Sequence, residues 1–109
     1  MDRELSRILH TLGLSERYIG FYCLVSAVEI ALQEPQSLTM VTKWIYPQVA
    51  KEQHSNWRAV ERNIRTAIDI IWRHNPVKLQ ELMGHPLRSR PTATQFISFL
   101  AYYQQIDRV

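Results

Sequence analysis

Val49-Ala50-Lys51-Glu52-Gln53-His54-Ser55-Asn56-Trp57-Arg58-Ala59-Val60-Glu61-Arg62-Asn63-Ile64-Arg65 is the stretch whose reading decides the fold. It reads as one short helix, a three-residue turn, and a second helix with an arginine-rich outer face. Ala50 is small where two such helices must cross closely. Val49 and Val60 are spaced to pack across the turn, and Ser55 is placed to cap the second helix. This is the layout of a helix-turn-helix, whose second helix docks in the major groove of DNA.

The second helix is expected over about residues 56–74. At roughly 100° per residue, Trp57, Val60, Ile64, Ala67, Ile68 and Ile71 form one apolar stripe that should face the core. Arg58, Arg62, Arg65 and Asp69 fall within about 60° of one another on the opposite side, with Glu61 beside them. Arginine there can grip guanine O6 and N7 with two hydrogen bonds, and glutamate can accept from cytosine N4. Glu61, Arg62, Arg65 and Arg58 are therefore the expected base readers. Thr42 and Lys43, where the first helix of the unit crosses the backbone, and Lys51, Ser55 and Asn56 around the turn, are the expected phosphate contacts. A merely solvated charged face is the competing reading of the helix alone. The preceding helix, with its small Ala50 at the crossing, and the Ser55 cap on the second helix favour DNA.

Outward from this unit, helical spacing recurs and no useful length alternates at period two. Arg3–Leu12 carries Leu5, Ile8, Leu9 and Leu12 on one face and stops at Gly13. Glu16–Gln33, with Ser15 as its cap, is apolar almost all round, as a helix is when central to a core or covered by another chain. Thr39–Gln53 contains Pro47, which predicts either a kink or two short helices with Pro47 in the first turn of the second. Asn75-Pro76 ends the long helix, and Val77–Met83 is a short one closed by Gly84. Thr92 and Gln95 make a capping box that opens a last helix with Phe96, Phe99, Leu100, Tyr103 and Ile106 on a shared face. The fold class expected is all-α: a compact bundle of about six helices containing a helix-turn-helix, with residues 1–109 as one domain.

Composition narrows the function. Residues 1–38 hold three Lys and Arg against five Asp and Glu, residues 39–75 six against three, and residues 76–109 four against two. The basic excess thus begins where the helix-turn-helix begins, a moderate electrostatic footprint for nucleic acid. Cys23 stands alone in an apolar run and reads as a reduced, buried thiol. His10, His54, His74 and His85 are scattered without ligand spacing, so no metal is expected. No glycine-rich phosphate loop or catalytic carboxylate pair is present, so neither an enzyme nor a cofactor is expected. The apolar run Phe21–Val25 is far too short for a bilayer span, and the charged N-terminus leads into no signal-type core. No membrane partner and a cytoplasmic location follow as expectations.

Val60-Glu61-Arg62-Asn63-Ile64-Arg65-Thr66-Ala67-Ile68, followed by Trp72, resembles the recognition segment of the effector domain of the sporulation master response regulator, the stage-zero sporulation transcription factor family. Thr42-Lys43-Trp44-Ile45-Tyr46-Pro47-Gln48-Val49-Ala50-Lys51 fits that family's stretch before the turn. Gly13-Leu14, Gly20-Phe21, Leu24 and Ala27 fit its second helix, and Gly84, Arg90-Pro91-Thr92 and Phe96-Ile97 fit its C-terminal part. The resemblance implies an all-helical domain reading double-stranded DNA, with Glu61, Arg62 and Arg65 facing the groove. It also implies tandem or dimeric binding at short boxes and contact with RNA polymerase sigma factor.

Three departures stand out. Ala59 replaces an arginine, and Arg58, about 100° round the helix, is not an equivalent donor. Gln53 replaces an aromatic residue before the turn. Ile19, Val25 and Ser26 stand where the family tends to carry charges, which suggests burial against a second copy or another protein. The resemblance does not include the receiver that precedes this effector in the family. With Met1 as the start, phosphorylation is not expected to gate the chain in the usual way. The departures also motivate a rival function: a protein-interaction module that modulates the full-length regulator or RNA polymerase without reading DNA.

Overall fold

The computed structural model describes residues 3–107, and their side chains as far as residue 105. Among these residues there are six α-helices and no strand: α1 (Arg3–Thr11), α2 (Ile19–Gln33), α3 (Tyr46–Glu52), α4 (Trp57–His74), α5 (Pro76–Met83) and α6 (Ala93–Asp107). The all-α architecture and its helix-turn-helix are as the sequence implied.

α1 buries Leu5, Ile8 and Leu9 and closes through Gly13, whose φ of 92° is left-handed. The Gly13 N–H donates to His10 O at 2.9 Å and the Leu14 N–H to Leu9 O at 2.9 Å. These are the paired bonds of a Schellman motif, which needs a left-handed residue and so favours glycine. Asn75 Nδ2 donates to Leu12 O at 2.9 Å and ties this end of α1 to the end of α4.

α2 is central, with ten of its fifteen residues buried. It starts at Ile19 and not at Glu16, and Ser15 does not cap it: Tyr18 is extended there without a side-chain cap bond. Glu16 is instead bound to His10 at 2.6 Å, while the His10 ring stacks on Phe21 with centroids 5.5 Å apart. Residues 15–18 form a turn, in which the Tyr18 N–H donates to Ser15 O at 3.1 Å. Val25 and Ser26 are buried inside the chain, and the Ser26 hydroxyl donates to the Glu52 carboxylate. Of the three family departures on this helix, only Ile19 faces outward, 62% exposed. Burial of Val25 and Ser26 against a second chain is thereby corrected; α3 and the core already cover them.

Pro47 lies in the first turn of α3, so the second of the two expected arrangements holds. A 3-10 turn (Pro35–Thr39) and a π-helical turn (Val41–Ile45) lead into it. At the first turn of a helix the missing proline N–H has no partner to lose. Pro76 opens α5 in the same way, and Gly84, φ 84°, closes it. The capping box of α6 forms in both directions: Gln95 N–H to Thr92 Oγ1 at 3.1 Å, and Thr92 N–H to Gln95 Oε1 at 2.9 Å. Phe96 and Leu100 are fully buried, with Ile97 and Ala101 beside them, and Phe99 and Tyr103 are partly buried. Ile106, expected on the same face, lies outside the residues whose side chains are described.

Cys23 sits in this core, and burial pushes its thiol up to about 11. The reactive thiolate is accordingly scarce at neutral pH. A thiol-specific reagent at pH 7.5 is expected to label the native protein only as fast as it unfolds, and the urea-unfolded chain at the rate of a free cysteine. Rapid labelling of native protein would contradict the packing around α2.

Candidate nucleic-acid interface

The turn between α3 and α4 is built by backbone chemistry. The Ser55 N–H donates to Ala50 O at 2.8 Å and the His54 N–H to Lys51 O at 3.4 Å. This repeats the Schellman closure of α1, but His54, φ 53°, occupies the left-handed position that glycine fills there. The left-handed residue sends the chain out one position later than a simple stop would. In consequence Asn56, not Ser55, caps α4: Asn56 Oδ1 accepts from the Ala59 N–H at 3.0 Å. The expected cap at Ser55 is corrected on this geometry. Val49 and Val60, on either side of the turn, are both buried, as is Ala50.

α4 runs eighteen residues from that cap and buries Val60, Ile64, Ala67, Ile68 and Ile71. Trp57 does not join them. It is 40% exposed, whereas Val60 in the same turn is buried; its position in the core stripe is corrected here. The Arg58 guanidinium lies over the Trp57 ring, 5.3 Å from its centroid.

Arg58, Arg62 and Arg65 are all exposed on the outer side of α4. Arg65 Nη2 is 3.2 Å from Glu61 Oε1, and Arg90, from the loop before α6, pairs with Asp69. Arg62 has no ion pair among the described residues. Glu61 and Arg65 also line a cleft of about 300 Å³ together with Thr42, Tyr46, Arg90, Thr92 and Thr94. Burial, then the nearby Glu61 carboxylate, pushes the Tyr46 phenol at its side up to about 12, so it remains a neutral hydroxyl.

The structure thus brings Thr42, Glu61 and Arg65 together and leaves Arg58 and Arg62 on the same helix outside the cleft. Lys43, Lys51, Ser55 and Asn56 are exposed but do not line the cleft. Sequence reasoning missed the Asp69–Arg90 pair, which joins residues 21 apart across α5 and leaves no local signal. It also missed Tyr46, Thr92 and Thr94 as neighbours of Glu61 and Arg65.

Residues 5–103 match the family described as Sporulation initiation factor Spo0A C terminal. The chain belongs to that family. Spo0A C-terminal domains are DNA-binding transcription-factor effectors and not enzymes. The match runs from the third residue of α1 through α5 to Tyr103 in α6, so the family frame includes every residue of the interface above. Among the described residues no helix is long and apolar enough to cross a membrane, and no three His, Cys, Asp or Glu are grouped to hold a metal ion.

Proposed function

We propose that this protein is a sequence-specific regulator of transcription that binds double-stranded DNA with α4 in the major groove. Glu61, Arg62, Arg65 and Arg58 read bases. Thr42, Lys43, Lys51, Ser55 and Asn56 hold the sugar-phosphate backbone on either side of the helix. The observation that carries this is one arc of exposed arginines on a helix fixed at both ends, by the Asn56 cap and by Asn75. Family membership adds the rest of the proposal: a cytoplasmic protein, bound as a homodimer or in tandem copies at short boxes, touching RNA polymerase sigma factor. The rival reading, a module that binds protein and ignores DNA, drew on the apolar α2. With Val25 and Ser26 buried inside the chain, Ile19 alone of its three departures remains exposed to support it.

A fluorescence-anisotropy titration tests the proposal, using duplexes recovered by selection from a random pool at two salt concentrations. The logarithm of the affinity should fall with the logarithm of salt by about 0.9 per neutralised phosphate. Lys43→Ala is expected to weaken all duplexes alike and to make that slope shallower by about one. Affinity indifferent to salt, or a pool from which nothing is enriched, would sink the proposal.

A further inference from the structure

We propose that Trp57 is a positioning residue for Arg58, and that the stacked pair forms the specificity-determining N-terminal end of the reading surface, taking a guanine edge. The inference rests on the DNA-reading function above and adds a residue that contributes no charge of its own.

Three observations meet at this point. Trp57 is the first residue of α4 and is 40% exposed, although it lies on the helix's apolar side. An indole in that place buries less than its size allows, so core packing alone does not account for it. Its ring instead carries the Arg58 guanidinium at 5.3 Å, within the reach of a cation–π contact. Finally, the first turn of α4 contains no acidic residue. Arg58 therefore faces the positive end of the helix dipole with no carboxylate in its own turn and with Glu61, the next one along, paired to Arg65, a place where a cation is disfavoured. An electron-rich acceptor of DNA relieves that repulsion.

The stack does for Arg58 what the carboxylates do for Arg65 and Arg90. A guanidinium on an exposed helix end samples many rotamers, and each bond it makes then costs ordering. Held over an indole face, it samples fewer rotamers and loses less freedom on contact. Helix-turn-helix proteins reach base edges mainly with the N-terminal residues of the reading helix, and positions 57 and 58 are the first two. Ala59 presents no donor there. Arg58 lies roughly 100° from it and about 20° from Arg65 around the helix. Base contact at this end is consequently displaced toward the Glu61–Arg65 side.

The test compares sites selected from a random duplex pool by the wild-type protein, R58A, W57A, W57F and the double variant. R58A is expected to lose about tenfold preference at one terminal base pair of the site. W57A should lose about threefold at that same base pair and leave the others unchanged, while W57F retains most of it. The double variant should match R58A alone, because the two residues act as one unit. In the free protein, the Arg58 side-chain protons should show a ring-current shift that W57A abolishes. Additive losses, a uniform loss at every base pair, or an absent ring-current shift would overturn the inference while leaving DNA reading in place. Failure of the wild-type protein to select any duplex would overturn both.

Discussion

Gly20→Ala is expected to destabilise the protein by a net of about 2 kcal/mol, lowering the thermal midpoint by about 10 °C. A Cβ at this position would stand 2.8 Å from Ala67 Cβ and 3.2 Å from the carbonyl carbon of Asn63, and closer still to the carbonyl oxygen. Two effects oppose each other. Alanine is the better helix former by about 1 kcal/mol, while overpacking against atoms that cannot rotate away costs about 3 kcal/mol. The atoms in question are backbone in the middle of α4, so the steric effect wins. The helices can relieve it only by moving apart, and the buried side chains between them then lose contact. Urea unfolding of G20A beside the wild type measures the difference. An unchanged midpoint would mean that α2 and α4 separate without loss, and that the glycine is not needed for their close approach.

Arg62→Ala is expected to weaken binding to the preferred duplex by about 1–3 kcal/mol, or roughly five- to 150-fold, and to relax the base preference at one position. Arg62 should show the largest loss on the reading face for a stated reason. Arg65 must give up Glu61 before it commits fully to DNA, and Arg58 reaches only the N-terminal edge of the face from its stack on Trp57. Arg62 has no ion pair among the described residues to surrender. Because the residue is exposed and unpaired, stability should change by no more than about 0.5 kcal/mol. Anisotropy titration and urea unfolding of the same sample separate the two quantities. Equal affinity of R62A and wild type on a selected duplex would remove α4 from the groove.

Much of the fold was legible because its signals are local. Thr92 and Gln95 cap α6 through bonds three residues apart, Pro47 and Pro76 open helices at their first turns, and Gly13 and Gly84 close them with left-handed backbones. What was misread depends on backbone conformation and on contacts that side-chain spacing does not show. Ser55 looked like the cap, but a histidine accepted the left-handed position before it and moved the start of α4 onward. Trp57 kept the apolar rhythm of α4 beyond the point where there was a core to receive it. Glu16 looked like the first turn of α2 and was taken by His10. On the outer side of α4, Glu61, Arg62 and Arg65 were visible in the pattern; Arg62 and Arg65 are exposed and Glu61 is half-buried. The Asp69–Arg90 pair and the cleft it borders belong to tertiary structure alone.

The two ion pairs on the outer side of α4 bear on how a protein with the proposed function would search a genome. A face whose arginines were all unpaired would cling to any phosphate it met and scan slowly. Here Arg65 and Arg90 carry their counter-charges with them, so residence on arbitrary DNA rests on fewer charges and ought to be brief. Exchange of a carboxylate for a base edge repays the broken pair only where the base is right. The same carboxylates that lower affinity everywhere would thereby widen the gap in dwell time between a wrong site and the right one.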